Sequence, residues 1–424
     1  MTPEIKQQIE QIRRGEVPEG FKHNSASVMP CDWNTCDFHE VATIQSGLVS
    51  QKEEPYCFMF HIGPDNIERD TGRIGNLKTA CELGLVSGKF YFDAGSIVYS
   101  KIRPNLNKVC IPNFEGICSA DCYSIKARAG IDRDYLFNLM LSFPFYRRAV
   151  ACSMRTGMPK INQDDLNAIP VVMPSQLEEQ QKIAAILTTQ DKVIELKEKL
   201  LAEKQRQKKY LMQVLLTGKK RLPRFSGEWK VNRLRNIATR HTKRNTIGNT
   251  NALTISAQYG LINQAEFFNK AVASDDKSNY FLLEKGDFAY NKSYSNGYPF
   301  GAIKRLTRYE VGIVSPLYIC FRIKEGSVSG EYLEQYFEAG LMNHEIQAFA
   351  QEGARNHGLL NIAVDDFFNS KILLPSPEEQ TAIAEIFSTA DREIDLLRQD
   401  IEQEKQKKKA LMQLLLTGIV RVCG

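Results

Sequence analysis

Two pairs of adjacent aspartates are the residues best suited by type to hold a metal ion. Asp164-Asp165 and Asp365-Asp366 lie 201 residues apart, and each pair precedes an apolar residue. Paired carboxylates can bind Mg²⁺ and support hydrolysis. Aspartates also begin turns and helices, because their side chains accept hydrogen bonds from nearby backbone amides. We favour the turn or cap role, so the sequence predicts no metal site at these pairs.

Two cysteine pairs have the spacing of half a zinc site. Cys31 and Cys36 are one such pair, and Cys118 and Cys122 are the other. Neither is followed by a second Cys or His pair at the spacing of a zinc finger. Eight of the ten cysteines lie between Cys31 and Cys152 at irregular intervals, without a sign of export. The sequence therefore predicts reduced thiols rather than a metal centre.

Motifs for the common catalytic sites are missing from the sequence. It contains no Walker loop, no Gly-x-Gly-x-x-Gly, no Asn-Pro-Pro-Tyr/Phe of an amino-methyltransferase and no His-Glu-x-x-His. We therefore predict that this chain is not an enzyme and binds no cofactor of its own.

Polar loops rich in Lys, Arg, Asn and Tyr are the best candidates for a binding function. Such side chains contact phosphates and the edges of bases. Lys and Arg together exceed Asp and Glu only 55 to 50, which permits nucleic-acid binding without requiring it. Solvated loops without a ligand are the alternative. The candidate DNA-binding residues are Lys101, Arg103, Asn105, Asn107, Lys108, Arg155, Lys160, Arg240, Lys243, Arg244, Asn291, Lys292, Tyr294, Asn296, Arg355 and Asn356.

A long segment occurs twice, and the rest of the chain repeats with it. Residues 178–218 and 378–418 align without gaps, with 19 of 41 positions identical. Earlier matches follow in the same order at offsets of 191 to 201, as expected for duplication of a whole unit. These matches pair Gly95, Tyr99 and Lys101 with Gly286, Tyr290 and Lys292, Gly116 with Gly312, and Pro174 with Pro375.

Each repeated segment is predicted to be one long helix. Ser175-x-x-Glu178 and Ser376-x-x-Glu379 have the pattern of a capping box at the start, and Gly218 and Gly418 stand where a left-handed residue would end the helix. About 40 residues without Pro or Gly give a rod of roughly 60 Å. A helix of that length needs a partner.

Apolar residues spaced by about 3.5 positions predict that the two helices pack against each other as an antiparallel coiled coil, with a polar middle and further contacts to another subunit. Antiparallel packing would separate the two globular domains. The residues predicted for helix–helix and subunit docking are Ile183, Ile186, Ile194, Leu201, Leu211, Leu215, Ile383, Ile386, Ile394, Leu397, Ile401, Leu411 and Leu415.

The predicted fold class is α+β, with two globular domains joined by two long antiparallel coiled-coil helices in an internal pseudo-twofold repeat. Short strands are predicted at 96–99 and 317–321, and helices at 3–14, 135–148 and 332–350. The predicted boundaries are 1–20 for an N-terminal helix and lead-in, 21–173 for the first domain, 174–221 for the central helix, 222–374 for the second domain and 375–424 for the C-terminal helix.

The repeated motifs resemble the specificity subunit of Type I restriction-modification systems. They are Glu178-Glu179-Gln180 with Ile183, the segment Leu211 to Gly218, and their copies after Pro375. The resemblance covers essentially the whole chain, but no base-contacting residue transfers by motif.

The resemblance implies that the two globular domains are target-recognition domains, each reading one half-site in double-stranded DNA. Because the predicted rod exceeds one turn of DNA, about 34 Å, and the two domains differ in sequence, we expect an asymmetric bipartite site with an unread spacer. The resemblance also implies that two methyltransferase subunits dock on the helices and that restriction/translocase subunits complete the assembly. S-adenosylmethionine, ATP and Mg²⁺ would then be used by those partners.

Two other functions are compatible with the residues. One is a coiled-coil scaffold whose globular ends bind protein ligands, and the other is a metal-dependent nuclease that uses the aspartate pairs. The N-terminus lacks a signal-peptide pattern, and no run of about 18 apolar residues would span a membrane. We therefore expect a soluble, cytoplasmic protein without a membrane partner.

Overall fold

The computed structural model describes residues 3–24, 27–153, 159–256, 259–268, 277–295, 297–352 and 360–422. Two compact units divide the chain: the first comprises Met1–Lys197 and Asp400–Gly424, and the second Glu198–Gln399. Each unit therefore contains a mixed α and β domain together with part of each long helix. The predicted α+β class and the internal repeat are confirmed.

The first unit begins with the predicted N-terminal helix and continues with short strands. Its long loops contain 3₁₀ turns at Tyr56–Phe58, Pro64–Asn66 and Pro104–Leu106. The elements are α1 (Pro3–Arg13), β1 (Phe21–Asn24), β2 (Ser27–Pro30), β3 (Trp33–Asp37), α2 (Phe38–Val41), β4 (Ala42–Ile44), β5 (Leu48–Val49), β6 (His61–Ile62), β7 (Lys89–Phe92), β8 (Ile97–Ser100), β9 (Val109–Cys110), β10 (Gly116–Cys118), β11 (Cys122–Ala127), α3 (Arg133–Leu141), α4 (Phe143–Ser153), α5 (Gln163–Asn167), β12 (Pro170–Pro174) and the start of α6 (Leu177–Leu215).

The second unit repeats much of this order. Its elements are β13 (Lys230–Arg233), α7 (Leu234–Ile237), β14 (Ala238–Arg240), β15 (Leu253–Ser256), β16 (Gly260–Asn263), α8 (Gln264–Phe268), β17 (Phe281–Glu284), β18 (Phe288–Asn291), β19 (Ala302–Arg305), β20 (Val311–Val314), β21 (Ile319–Ile323), α9 (Gly330–Glu338), α10 (Asn343–Phe349), β22 (Gln351–Glu352), β23 (Leu360–Asn361), α11 (Val364–Asn369), β24 (Lys371–Leu374) and the start of α12 (Pro377–Leu415).

Equivalent sheets in the two units show how the repeat folds. The first unit has a four-stranded sheet in the order β4-β11-β8-β9, and the second has the same arrangement as β14-β21-β18-β19. The strand before each long helix pairs antiparallel with the strand near the start of its domain, as β12 with β3 and β24 with β13. The remaining sheets differ, because β5-β7-β10-β6 forms one sheet in the first unit while β17-β20 and β15-β16 are separate pairs in the second.

Each domain packs its helices and its equivalent sheet around one main core that includes turns of both long helices. In the first unit Trp33 and Tyr135 are fully buried with Ile183 and Leu187 of α6 and Leu415 of α12. In the second unit the equivalent core joins Tyr332, Ile383 and Phe387 to Leu215 of α6. Burial of this apolar surface is the main force that holds the helix ends on the domains.

The two long helices have 39 residues each, which gives a length of about 58 Å at 1.5 Å per residue. They run antiparallel, as predicted. In the first unit Asp191 contacts Lys408, and Lys197, further along α6, contacts Asp400, which comes earlier on α12. In the second unit Lys208 contacts Asp391, and Lys204 contacts Glu393.

Glycine ends both helices as the sequence predicts. Gly218 and Gly418 have φ values of +69° and +73°, which favour glycine. The amides of Lys220 and Val420 donate to the carbonyls of Val214 and Leu414, respectively, so carbonyls near each helix end are satisfied.

The structure differs from the sequence prediction at several helix boundaries. The predicted helices 135–148 and 332–350 are each two helices, and the first pair is divided at Ser142, just before Phe143 and Pro144. The hydroxyl of Ser376 accepts the amide of Glu379 at 3.4 Å, as in a helix cap, but that of Ser175 donates to the carbonyl of Asp32 at 2.6 Å. Within the described ranges, no helix combines the length and apolarity needed to cross a membrane.

Candidate nucleic-acid interface

Three of the predicted DNA-binding residues lie together where β8 ends in the first domain. Lys101 follows β8 directly, and Ile102 forms an isolated β-bridge with Lys160. The amide of Ile161 donates to the carbonyl of Lys101 at 2.9 Å, and that of Arg103 donates to the carbonyl of Pro159 at 2.7 Å. These backbone bonds hold Lys101, Arg103 and Lys160 on two adjacent segments. We call these three residues the first basic cluster.

The environment of the first basic cluster favours an anion. Burial lowers the pKa of Lys101 and the charge of Lys160 lowers it further, while the charge of Asp121 partly offsets both effects. The ammonium of Lys101 lies 5.2 Å from the centre of the Tyr123 ring, while Arg103 and Lys160 are exposed. A phosphate beside Lys101 and Lys160 would relieve the repulsion between these two cations.

Arg103 is held in a strained backbone conformation. Its φ of +48° lies in the left-handed region, which non-glycine residues rarely adopt, and Pro104 follows it as the first residue of a 3₁₀ turn. Strain of this kind persists where the surrounding contacts fix the segment. The side chain of Arg103 is thereby directed by a fixed backbone rather than by a mobile loop.

The remaining candidates of this loop do not join the cluster as a group. Asn107 is buried, and its side-chain amide donates to Asp70 and to the carbonyl of Leu141, both at 3.1 Å. The ammonium of Lys108 donates to the carbonyl of Pro64 at 2.6 Å. Both residues therefore stabilise the loop from inside, whereas Asn105 is exposed.

In the second domain, Arg240 ends β14 and is exposed, as are Lys243 and Arg244 just beyond it. Lys243 lies 3.6 Å from a carboxylate oxygen of Glu284. Arg244 donates to the carbonyl of Asn279, and its guanidinium lies 5.2 Å from the centre of the Phe281 ring. The last two cations are thus partly engaged within the domain.

Further candidates follow β18, the strand equivalent to β8. Asn291 ends β18, and its side-chain oxygen accepts the amide of Ser293 at 3.1 Å. Lys292 occupies the position equivalent to Lys101, and its carbonyl accepts the amide of Leu360 at 3.1 Å. Tyr294 is 65% exposed, and an exposed aromatic side chain is of the type on which bases stack.

Since β14 and β18 both pair antiparallel with β21, they run in the same direction, but Arg240 at the end of β14 and Phe288 at the start of β18 both pair with Phe321. Asn291 therefore lies three residues further along the sheet than Arg240, so the two candidates are not at the same level. The remaining candidates, Arg155, Asn296, Arg355 and Asn356, lie outside the described residues.

One of the aspartate pairs and one of the cysteine pairs make contacts that stabilise the fold. Asp165 lies in the first turn of α5, where its amide donates to the side chain of Asn162 at 2.7 Å and its carboxylate accepts from it at 2.9 Å. Cys118 is buried in an apolar cluster with Cys110 and Cys122, and burial raises its pKa to about 12. Among the described residues, no group of three or more His, Cys, Asp or Glu is arranged to hold a metal ion.

Sequence reasoning missed the function of the second glutamate of each Glu-Glu-Gln motif. In the first unit the indole nitrogen of Trp33 donates to Glu179 at 3.3 Å, and the guanidinium of Arg421 donates to the same carboxylate at 2.7 and 2.9 Å. Glu179 is 4% exposed. We call the contacts of Trp33, Glu179 and Arg421 a junction, because they join the start of the domain, the start of α6 and the segment after α12.

The second unit repeats this junction. Glu379 accepts from Trp229 at 3.1 Å and from Arg221 at 2.7 Å through both of its oxygens. Arg221 follows α6, whereas Arg421 follows α12. The one signal in the sequence was the recurrence of Trp, Glu and Arg at shifts of 196, 200 and 200 residues.

The glutamine of each motif connects its helix to its domain. The side-chain oxygen of Gln180 accepts the amide of Asp132, the residue before α3, at 2.9 Å, and its side-chain nitrogen donates to the carbonyl of Pro174 at 3.1 Å. Gln380 binds the amide of Ser329 and the carbonyl of Pro375 at 2.9 and 3.0 Å. Both glutamines are nearly fully buried, so these bonds satisfy groups that water cannot reach.

The residues predicted for helix and subunit docking are buried to different degrees. Ile186 is the most exposed of them, at 37%. Leu201, Ile386, Leu397 and the pair Leu211 and Leu411 are partly buried. The buried members are Ile183, Ile194, Leu215, Ile383, Ile394, Ile401 and Leu415.

Comparison with known proteins identifies two copies of one domain. A family described as "Type I restriction modification DNA specificity domain" matches residues 30–205 and again 226–406. The Type I restriction enzyme EcoDI specificity subunit of Escherichia coli is 40% identical over 181 residues, which cover 43% of this chain and only 38% of that protein. The MjaVIII specificity subunit of Methanocaldococcus jannaschii is 26% identical over 334 residues, which cover 73% of this chain and 75% of that protein.

Solved structures share the fold. The HsdS subunit of Thermoanaerobacter tengcongensis superposes with a TM-score of 0.51 at 18% identity, covering 93% of this chain and 99% of that one. The S subunit of M. genitalium gives a TM-score of 0.55 at 11% identity, with 93% and 97% covered. A chain from a study of complex assembly and conformational transition of the type I R-M system gives 0.58 at 17%, with 92% and 99% covered.

The family match covers most of the chain. It falls on two units, each of which has its own copy of the four-stranded sheet, of the Trp–Glu–Arg contacts and of the start of a long helix. The chain therefore belongs to the Type I restriction modification DNA specificity domain family.

Proposed function

We propose that this chain is the non-catalytic subunit that selects the DNA sequence for a Type I restriction-modification complex. The observation that carries the proposal furthest is the first basic cluster, in which the backbone holds Lys101, Arg103 and Lys160 together at the end of β8. Two domains of a family described as a DNA specificity domain support the same function. In this proposal, residues of about 21–173 read one half-site and residues of about 222–374 read the other.

The two half-sites differ in sequence in this account. The position of Lys101 is filled by Lys292 in the second domain, but the residues around it are not the same. The first domain offers Arg103 and Lys160, while the second offers Arg240 and Tyr294. Phosphate contacts position a protein, whereas the surrounding polar side chains read bases, so different surroundings recognise different bases. The complete target is therefore bipartite and asymmetric.

The long helices set the length of an unread spacer between the half-sites. Each helix is about 58 Å long, which exceeds one turn of DNA at about 34 Å. Insertion of four residues after Lys204 should change the preferred spacer length or abolish binding while both half-sites stay the same. Altered half-sites with an unchanged spacer would refute this function of the helices.

Exposed apolar residues on the helices support docking of two methyltransferase subunits. Leu196 of α6 is 56% exposed, and Leu396, 200 positions later on α12, is 59% exposed. Apolar side chains at equivalent positions of a repeat offer the same contact twice, which suits two copies of one partner. The restriction/translocase subunits join the complex through the methyltransferase subunits. In this proposal the partner subunits together use S-adenosylmethionine, ATP and Mg²⁺.

Selection from random DNA tests the proposed function. The chain is co-purified with the methyltransferase subunits encoded in the same host, and bound fragments are recovered in the presence of excess nonspecific DNA. Enrichment of one split motif supports the proposal. A stable complex that enriches no motif would instead favour a scaffold whose domains bind protein ligands.

A further inference from the structure

The two long helices are similar enough that each could in principle pair with a copy of itself. Asp191 with Lys408 and Asp391 with Lys208 are equivalent ion pairs, at 2.6 and 2.5 Å. Both helices have the same residue at these positions, since the aspartates and the lysines each lie 200 residues apart. These pairs would therefore form in a pairing of α6 with α6 or of α12 with α12 as readily as in the observed one.

Other contacts in the middle of the seam use residues that differ between the helices. In the first unit the ammonium of Lys197 lies 2.8 Å from Glu404 and 2.7 Å from Asp400, and the side-chain amide of Gln190 donates to Glu404 at 2.7 Å. In the second unit Lys204 lies 2.8 Å from Glu393. At the equivalent positions in the repeat, Lys197 is matched by Leu397, Lys204 by Glu404, Glu393 by Val193 and Asp400 by Leu200.

Replacing one helix by its repeat shows what self-pairing would do. If a second α6 took the place of α12, Lys204 would stand where Glu404 stands, and Lys197 would face a lysine. If a second α12 took the place of α6, Glu404 would stand where Lys204 stands and would face Glu393. Each self-pairing is symmetric, so the repulsive contact would occur twice. The contact between Lys197 and Glu404 is partly shielded from water, because their side chains are 26% and 16% exposed.

We propose that the charges of Lys197, Lys204, Glu393 and Glu404 select the partner of each helix, so that α6 accepts an α12-type helix and excludes a second copy of itself. The apolar residues and the Asp–Lys pairs that both helices have in common stabilise α6–α12 pairing and self-pairing equally. The four charges supply the preference, as charges beside the seam do in other coiled coils. Pairing of α6 with a second α6, and of α12 with a second α12, is thereby disfavoured. This pairing preference is independent of the DNA that the domains bind.

Charge exchange across the two contacts tests this inference on the full-length chain. In K204E/E404K, Lys197 faces a lysine and Glu393 faces a glutamate within one chain, whereas both self-pairings become attractive. The matched control, K209E/E402K, makes the same exchange at exposed positions. We expect a dimer that grows with protein concentration in K204E/E404K and not in the control or the wild type, measured by size-exclusion chromatography with light scattering. Absence of that dimer in folded K204E/E404K would overturn the inference.

A second comparison decides the question if K204E/E404K does not fold. K204E alone loses the contact with Glu393, and K204E/E393K restores it with the charges reversed. We expect K204E to lower the Tm by roughly 2 °C and K204E/E393K to recover most of that loss, since 1 kcal/mol corresponds to a shift of about 2–4 °C for domains of 150–250 residues. Equal Tm values for K204E and K204E/E393K, both below the wild type, would show that the charges do not recognise each other.

Discussion

Arg421 follows Glu179 by 242 residues, yet its guanidinium donates to both oxygens of the Glu179 carboxylate. The same guanidinium donates to both oxygens of Asp32 at 2.8 and 2.7 Å, and it lies 5.9 Å from the centre of the Trp33 ring. These bonds raise the pKa of Arg421, the contribution of Glu179 being the largest. The segment after α12 is thereby fixed to the first domain, within the first unit.

Arg421→Ala should destabilise the first unit by about 3 kcal/mol. Glu179 is almost completely buried, so loss of its cation leaves a charge that Trp33 alone cannot compensate. Trp33 and Trp229 are the two tryptophans of the chain, and each lies in one junction. Urea unfolding followed by tryptophan fluorescence therefore measures the effect. Arg398→Ala, which removes an exposed i,i+3 pair with Asp395, is the control and should change stability by less than about 0.5 kcal/mol.

Gln180→Ala should cost about 2 kcal/mol of unfolding free energy. The substitution leaves the amide of Asp132 and the carbonyl of Pro174 without their partner at a site that is 1% exposed. The neighbouring Gln181 is exposed, so Gln181→Ala should be close to neutral. Equal stability of the two variants in urea would show that the motif is not needed to hold the helix on the domain.

These junctions show what could and could not be predicted from the sequence. The recurrence of Glu178-Glu179-Gln180 was visible and its helix was correctly predicted, because apolar spacing and the terminal glycine are local signals. The contacts of Glu179 were not predictable, since they depend on Arg421 and on Trp33, which are distant in sequence. The capping-box pattern of Ser175 and Glu178 was misleading for a similar reason, because Asp32 provides the acceptor for the Ser175 hydroxyl.

The candidate binding residues likewise were predicted from local sequence, while their long-range contacts were not. Composition singled out Lys101 to Lys108 as one loop, but only the fold separates Lys101 and Arg103 from Asn107, which is buried against Asp70 and Leu141. Lys160 joins the cluster through a backbone bridge that no sequence spacing indicates. Polar residues on irregular loops have no periodicity, so their neighbours cannot be inferred before the fold is known.

Lys160→Ala and Arg103→Ala should each weaken DNA binding by about 5- to 20-fold at low salt and should lower the slope of log K against log salt by about 1. Both side chains are exposed in the first basic cluster, so the fold should be unaffected. Lys6→Ala, which removes an exposed charge from α1, is the control. Fluorescence anisotropy of the assembled complex on its target, titrated with salt, measures the effect. Unchanged salt slopes for both cluster variants would exclude this surface as a phosphate contact.

Stability should fall in acid partly because of Glu404. Hydrogen bonds from Lys197 and then from Gln190 lower its pKa from 4.5 to about 2. Because the folded-state pKa is the lower one, the stabilisation is complete above about pH 4.5 and is lost as the pH falls towards 2. The difference in Tm between the wild type and Glu404→Gln should therefore shrink between pH 6 and pH 2. A difference that stays constant over this range would show that the Glu404 charge does not stabilise the helix pair.

Methylome sequencing of a host with and without this chain tests the central claim most directly. If the two domains read different half-sites, deletion of the chain should remove methylation from one motif made of two unlike half-sites separated by a spacer of fixed length. Expression of the Lys160→Ala, Arg103→Ala double variant in the deleted host should restore that methylation less completely than the wild type. An unchanged methylome after deletion, in a host whose methyltransferase subunits are expressed, would contradict the claim that this chain selects the DNA sequence.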